Sequence, residues 1–550
     1  MAGTGARMVR FGGRNVAVAP DQPLAAGLTG AAAPLLGRSI RYHRPRAPFC
    51  GVGYCSQCLV RVNGVPNVRS CVYRPQPGDQ VETENGWPSV ETDLYAALDL
   101  LYPRGIDTLR GFRRPAFLRR LYQRTIRSLA GYGRPPAPTG ASTGKRAGQI
   151  ETEVLVVGGG PSGRWAAARL AAAGRAVALL DRGPILAPPS GVTACARTTV
   201  SFLPPPDPAR SSPFLATAVD ERGGSLLLRS RTVIIATGAY DAGLLAAGMD
   251  RPGVLTASGA LALAPAGRDP PFRRALLVGA GGRAAEMLDR FGTHIAAALS
   301  PGAFAPEVAS RAAELDVPLL PRTLLLGVLG RRRVRGVRVA ARGRGEEHRI
   351  PVDAVLLAHR RLPNAPLFFQ AGARMQWRGE IGAYTPELRE GFETTVGGLY
   401  GIGEAAGFLP GAPAEASGIA VAEQLLSGNA PGTVPPRASA DGWPEWAGYY
   451  SELLARRESG GKWILCACED ILLREVEEAS RAGYRGIEEI KRYTGVGTGL
   501  CQGRYCLPDT ILLLCAAEQR SAAEVGYIRQ RPPVTPTPLG AWAALPEEAA

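Results

Sequence analysis

Eight of the ten cysteines in this 550-residue chain fall into two groups of four. Cys50, Cys55, Cys58 and Cys71 lie near the start, Cys466, Cys468, Cys501 and Cys506 near the end, and only Cys195 and Cys515 are left over. Cysteines used as small apolar core residues have no reason to gather in this way. The opening MAGTGARMVRFGG has no apolar stretch of signal-peptide length, so a secreted disulfide framework is not expected, and clustered thiols point to metal or redox work. No apolar run reaches about 18 residues, which argues against a transmembrane segment; a cytoplasmic location is expected. At 45% hydrophobic and 20% charged the chain has ample material for several cores and is unlike a disordered polymer.

The net charge of +16 invites a nucleic-acid reading, but only three of the 64 basic residues are lysine (Lys145, Lys462, Lys491). An arginine bias joined to heavy use of Ala, Gly and Pro reads as genome composition. The arginines are dispersed and not interleaved with aromatics on one face, so no nucleic-acid partner is expected. The concentration from Arg331 to Arg335 reads as a solvated hairpin, and an acidic protein partner is the more plausible use of the charge.

Periodicity divides the chain. Val9/Phe11 and Val16/Val18 alternate around Gly12-Gly13, and Val60/Val62 precede an Asn63-Gly64 turn, so residues 1–95 read as a small hairpin-rich domain. Residues 96–150 read as a helical connector, with helical spacing from Val90 to about Leu129, followed by the linker GYGRPPAPTGASTGKRAGQ. Residues 151–440 read as α/β with two nucleotide-binding units, 441–525 as a small helical domain carrying the second cysteine group, and 526–550 as an extended Pro-rich tail.

The first cysteine group has the C-x4-C-x2-C spacing, with a fourth cysteine after a hairpin, of plant-type [2Fe–2S] ferredoxins. Gly51 and Gly53 let backbone amides approach the sulfurs. A structural zinc is the alternative, though zinc sites more often show two separated C-x2-C knuckles. The second group, C-x-C and then C-Q-G-R-Y-C, resembles the bacterioferritin-associated-ferredoxin type of [2Fe–2S] domain, with two short helices between the pairs; zinc again is the alternative. Cys515 reads as a packed apolar residue.

Gly158-x-Gly160-x-x-Gly163 follows the apolar run Val154 to Val157 and precedes a helical run. Asp181 ends the next apolar run, where it can accept from an adenosine ribose. The segments RTVIIATGAYD, with Thr237 and Gly238, and GGLYGIGEAAG, with Gly403 and Glu404, resemble those of two-dinucleotide-binding-domain flavoproteins of the glutathione-reductase type. That resemblance implies FAD, with Glu404 at the position that reaches the ribityl chain, where the family more often has Asp. Flavoproteins of this type continue after the ribose acid with a shielding loop and helix, whereas here only RGPILAPPSGVTACARTTV intervenes. A bound adenine nucleotide without redox function is therefore the alternative occupant. A second fingerprint, Gly279-x-Gly281-x-x-Ala284, follows Ala275 to Val278, but its next strand ends at Ser300 without an acid, so NAD is only weakly signalled and a packing role is as good a reading.

Together LLGRSIRYHRPR, GWPSVETDL, RTIRSLAGYG, CQGRYC and RPPVTPTPL resemble the α subunit of heteromeric sarcosine oxidase and its relatives in hydrogen cyanide synthase, opine oxidase and hydroxyproline dehydrogenase, without the folate-binding aminomethyltransferase domain. The resemblance implies a two-dinucleotide-domain flavoprotein with an N-terminal β-grasp ferredoxin-like domain and a C-terminal cluster-binding domain. It implies two [2Fe–2S] clusters and FAD, and a D-amino-acid-oxidase-like β subunit where substrate is oxidised. Electrons would then pass onward to a quinone or a carrier. The four histidines (His43, His294, His348, His359) form no catalytic constellation, and no catalytic residue is expected. The rivals are a self-contained NAD(P)H-dependent reductase and a nucleotide-binding assembly scaffold.

Overall fold

The computed structural model describes residues 5–30, 35–103, 105–106, 147–343, 345–428, 435–437, 445–457 and 462–546. Most of the expected connector and linker, 107–146, lies outside them. The described part of the connector is a 3-10 turn, Leu94–Ala96, capped by the Asp93 side chain, and a short helix, Ala97–Leu101. Helix thus begins later than Val90.

The chain resolves into two units. The first comprises Met1–Ala137, Asp241–Arg360 and Glu445–Tyr527, and the second Pro138–Tyr240, Arg361–Pro444 and Ile528–Ala550. The stretch 151–440, continuous in sequence, is therefore divided, and its second nucleotide-binding unit belongs with both cysteine groups. The chain leaves one unit near Tyr240 and returns near Arg361.

In the first unit a five-stranded sheet runs in the order Arg14–Val18, Arg7–Phe11, Gln80–Glu82, Leu59–Val62, Val65–Arg69. Its two expected hairpins are present, with Gly12, Gly13, Asn63 and Gly64 all at positive φ. Arg7–Phe11 lies parallel to Gln80–Glu82, and the apolar helix Leu24–Gly30 covers the sheet, giving a β-grasp layer. A second sheet, all parallel, holds Val254–Thr256, Ala354–Leu357, Ala275–Val278, Ile295–Leu299 and Leu319–Leu320. These strands are nearly uniform apolar runs, as expected of strands covered on both faces. Side chains of the two layers share one core that also encloses Cys50, Cys55, Cys58 and Cys71. Arg331 to Arg335 do turn a hairpin, between Thr323–Leu329 and Gly336–Ala341.

The second unit is built on a seven-stranded sheet in which Gly148–Val157 lies between Val177–Leu180 and Ser225–Ile235. Two of its residues, Gly148 and Gln149, fall within the expected linker. The Pro-rich tail packs on the second unit. Val534 donates its amide to Ser201 and sits in the core, the Ser225 hydroxyl donates to the Ala541 carbonyl, and a short helix spans Leu539–Ala543. Among the described residues no helix is long and apolar enough to cross a membrane.

Candidate iron–sulfur and nucleotide sites

Cys50, Cys55 and Cys58 occupy the loop that follows the two-residue strand Pro45–Arg46 and leads into Leu59–Val62; Cys71 follows the return strand Val65–Arg69. Gly51 and Gly53 have φ of 67° and 70°, a region costly for other residues. A Cβ on Gly51 would stand 2.4 Å from the Ser258 carbonyl oxygen, so the loop is pressed against the helix Ala257–Leu263. All four thiols are at most 3% exposed. Cys50 contacts Cys55 and Cys71, and Cys58 contacts Cys71. Burial works against the Cys50 thiolate, but hydrogen bonds from Cys55, Cys71 and backbone amides hold it well below the usual thiol range. Cys58 is lowered chiefly by Cys71.

In the second group Cys466 ends the strand Ile464–Cys466, and Cys468 follows in the turn before Ile471–Leu472. Cys501 and Cys506 sit in the loop ahead of the helix Leu507–Glu518. The two expected helices between the pairs are Leu473–Arg481 and Ile487–Thr494. Cys506 contacts Cys466 and Cys501 contacts Cys468, and the chief reason that the Cys468 thiol is lowered to about 7 is its hydrogen bond with Cys501. Gly499 is required by proximity, since a Cβ there would lie 2.4 Å from that of Cys468. Cys515 is buried on its helix away from these pairs, and Cys195 is half-exposed in the second unit.

The two groups adjoin. Arg504, between Cys501 and Cys506, lies 4.4 Å over the ring of Tyr54, between Cys50 and Cys55, and Phe49 meets Tyr505 edge-on at 5.3 Å. A solvent-open cleft with a cavity volume of about 70 Å³ borders both groups and is lined by Phe49, Leu244, Met249, Cys55, Cys468 and Tyr505 among others. Among the described residues no three His, Cys, Asp or Glu side chains are arranged to hold a metal ion; the first four sulfurs are linked in a chain through Cys50 and Cys71, and the second four meet as two pairs. Eight buried thiols in two fours nonetheless match the donor set that iron–sulfur clusters need.

The nucleotide fingerprint of the second unit is built as its spacing suggests. Gly158 has φ of 118°, and a Cβ on it would lie 2.1 Å from the Ala236 carbonyl oxygen; one on Gly163 would lie 1.9 Å from that of Gly158. Gly160 caps the helix Pro161–Ala172, and the space where its Cβ would stand is open. That opening at a helix N-terminus fits a pyrophosphate. Asp181 accepts the Gly159 and Gly183 amides, each at 2.6 Å. Thr237 donates to the Asn364 carbonyl, and Gly238, at φ 67°, accepts the Asn364 amide. The Gly403 amide is held by Ser417, but the Glu404 carboxylate is paired at 2.6 and 2.8 Å with Arg361. The pyrophosphate end thus suits a dinucleotide such as FAD, while Glu404 already has a cationic partner in Arg361. No helix intervenes between Val177–Leu180 and Val192–Cys195.

The second fingerprint lies in the first unit. Gly279 approaches the Ala358 carbonyl, Gly281 caps the helix Gly282–Phe291, and Ala284 is buried against the sheet. Arg283, in the first turn of that helix, binds Asp241 and the Ser258 hydroxyl, while Ser300 is buried at the strand end. Sequence reasoning gave no role to Arg504, Arg361 or Arg283. Only the placement of Arg504 between two cysteines could have singled one out.

Residues 8–86 match the 2Fe-2S iron-sulfur cluster binding domain family, and residues 460–545 the sarcosine oxidase A3 domain family. The chain is 28% identical over 470 residues to an opine oxidase subunit of Agrobacterium tumefaciens (strain Ach5), covering 72% of this chain and 92% of that protein. It is 27% identical over 585 residues to the sarcosine oxidase alpha subunit of Rhizobium meliloti (strain 1021), covering 96% of this chain and 57% of that protein. Its fold is similar to that of L-proline dehydrogenase from P. horikoshii, with a TM-score of 0.69, 19% identity, and 98% and 97% of the two chains covered. The chain thus matches a 2Fe-2S iron-sulfur cluster binding domain near its start and a sarcosine oxidase A3 domain near its end, is similar to opine oxidase and sarcosine oxidase subunits over most of its length, and has the two-dinucleotide-binding-domain fold.

Proposed function

We propose that the chain is the electron-transfer α subunit of a heteromeric flavin-dependent dehydrogenase or oxidase acting on amines, opines or amino acids. A D-amino-acid-oxidase-like β subunit oxidises the substrate, and electrons pass through FAD and two [2Fe–2S] clusters to a quinone or a carrier. The observation that carries this reading is the gathering of eight buried thiols into two adjoining groups of four. Bound clusters supply one-electron steps, which match a two-electron donor to a one-electron acceptor. Cys50, Cys55, Cys58 and Cys71 would hold one cluster, and Cys466, Cys468, Cys501 and Cys506 the other. Gly158, Gly160, Gly163 and Asp181 would hold the adenosine and pyrophosphate of FAD, with Thr237, Gly238 and Gly403 shaping the rest of its bed. Gly279, Gly281 and Ala284 are the positions for NAD or another adenine nucleotide.

A second reading, a nucleotide-binding scaffold without redox flavin, is favoured by the Arg361–Glu404 pair. Anaerobic purification with quantitation of iron, sulfide, zinc and flavin separates the two. About four irons per chain, two per [2Fe–2S] cluster, together with flavin support the relay. Zinc in one cysteine group, or nucleotide without flavin, replaces it with the scaffold. Turnover supports the relay if it needs a co-expressed β subunit; robust oxidation by the chain alone rules it out.

A further inference from the structure

Arg46 lies at the seam of the two cysteine groups, 5% exposed, and divides its donors between them. One guanidinium nitrogen donates to the Gln57 side-chain oxygen at 3.2 Å, between Cys55 and Cys58. The other donates to the Ala467 carbonyl at 2.7 Å, between Cys466 and Cys468, and pairs with Asp470. Asp470 is fully buried and also accepts the amides of Arg41 and Tyr42, at 2.9 and 3.2 Å. The carboxylate therefore ties the strand that carries Arg46 to the turn that carries Cys468. Beside this clamp the hydroxyl of Ser56, the neighbour of Cys55, hydrogen-bonds the sulfur of Cys468. Arg69 adds a parallel bridge, donating to the Cys55 carbonyl at 3.4 Å and to the Leu500 carbonyl at 3.5 Å.

A buried arginine needs partners for its donors, and a single carboxylate would give it several. Here the donors reach a residue enclosed by two cysteines on each side. We infer that Arg46 and Ser56 are positioning residues that hold the two cysteine groups as one electron-exchange pair, so that the clusters pass electrons directly to each other with no nucleotide between them. The inference rests on the two-cluster reading above. With both clusters bound, the exchange would be of a single electron, one cluster oxidised as the other is reduced, with no bond broken and no proton moved. The groups are joined from the backbone between Cys55 and Cys58 through the Ser56 hydroxyl to the Cys468 sulfur. Hydrogen bonds to a cluster sulfur stabilise the more negative, reduced state and so raise its potential. Ser56 thus favours the electron on the Cys466–Cys506 side.

The test uses the full chain, purified anaerobically, with iron counted and EPR recorded during a dithionite titration. About four irons per chain are expected for two [2Fe–2S] clusters, with reduced-state signals broadened or split by mutual spin coupling. Ser56→Ala is expected to keep its iron and to lower one midpoint potential, leaving the other nearly fixed. Arg46→Gln is expected to weaken the spin coupling, and if that variant fails to fold, Ser56→Ala carries the test alone. Four irons with two sharp, uncoupled signals, or unchanged potentials in Ser56→Ala, overturn the pairing while leaving the two-cluster reading standing. Two irons or fewer overturn the two-cluster reading and the pairing with it.

Discussion

At the scale of single residues, the buried charges of the first unit are arranged in pairs, and one pair sets a pH limit. Arg44 donates to both oxygens of Asp250, whose side chain is 3% exposed. Burial alone would raise the Asp250 carboxyl, but the guanidinium outweighs it and brings the value to about 2. A folded-state value below the unfolded one means that the stabilisation is fully present above about pH 4 and is lost as pH falls toward 2. At roughly 1.4 kcal/mol per unit the pair contributes about 2 kcal/mol at neutral pH. Asp250→Asn leaves Arg44 with Asp99, at 2.9 Å, as its remaining carboxylate, so the loss expected is that of the Asp250 pair alone, about 2 kcal/mol. Urea unfolding of wild type and variant at pH 7 and pH 3 checks this, because the difference between them must narrow at the lower pH.

At the scale of elements, the strand–turn–helix fingerprints were legible because each glycine answers a distinct local demand. Gly158 and Gly163 are packed against carbonyl oxygens, whereas Gly160 faces open space. Gly158→Ala is therefore expected to lower thermal stability and flavin content together. Gly160→Ala, at φ −68°, is expected to keep its melting temperature within about 2 °C, since surface changes away from such features stay within about 0.5 kcal/mol. It should nonetheless lose most bound flavin, because its methyl enters the pyrophosphate space. Equal loss of stability and flavin in both variants would remove the nucleotide from this loop. The hairpins at Gly12-Gly13 and Asn63-Gly64 were readable for the same reason, as positive φ restricts residue choice. Arg46, Ser56 and the Arg361–Glu404 pair were not, since their partners lie tens to hundreds of residues away and no local period encodes them. PVTPTP reads as extended chain, and most of it carries no helix or strand; that Val534 is a core residue of the second unit has no local signal.

At the scale of the molecule, three segments distant in sequence make one unit, and the cysteine loops lie where those segments meet. The Thr256 amide donates to the Phe49 carbonyl, the Thr256 hydroxyl to that of Cys50, and the Arg46 clamp joins the C-terminal segment. A cluster bound by four thiolates cross-links its loop and contributes folding free energy that the unfolded chain lacks. Iron should therefore stabilise the first unit selectively, while flavin or an adenine nucleotide stabilises the fingerprint of the second. Calorimetry of the holoprotein is expected to show two transitions. Anaerobic iron removal should move only one of them downward, and stripping and re-adding flavin should move only the other. The second unit contributes none of the eight clustered cysteines, so its transition has no reason to follow iron. A single transition that shifts as a whole with either ligand would mean that the two units unfold cooperatively, and the division of labour between clusters and nucleotide would then have no counterpart in stability.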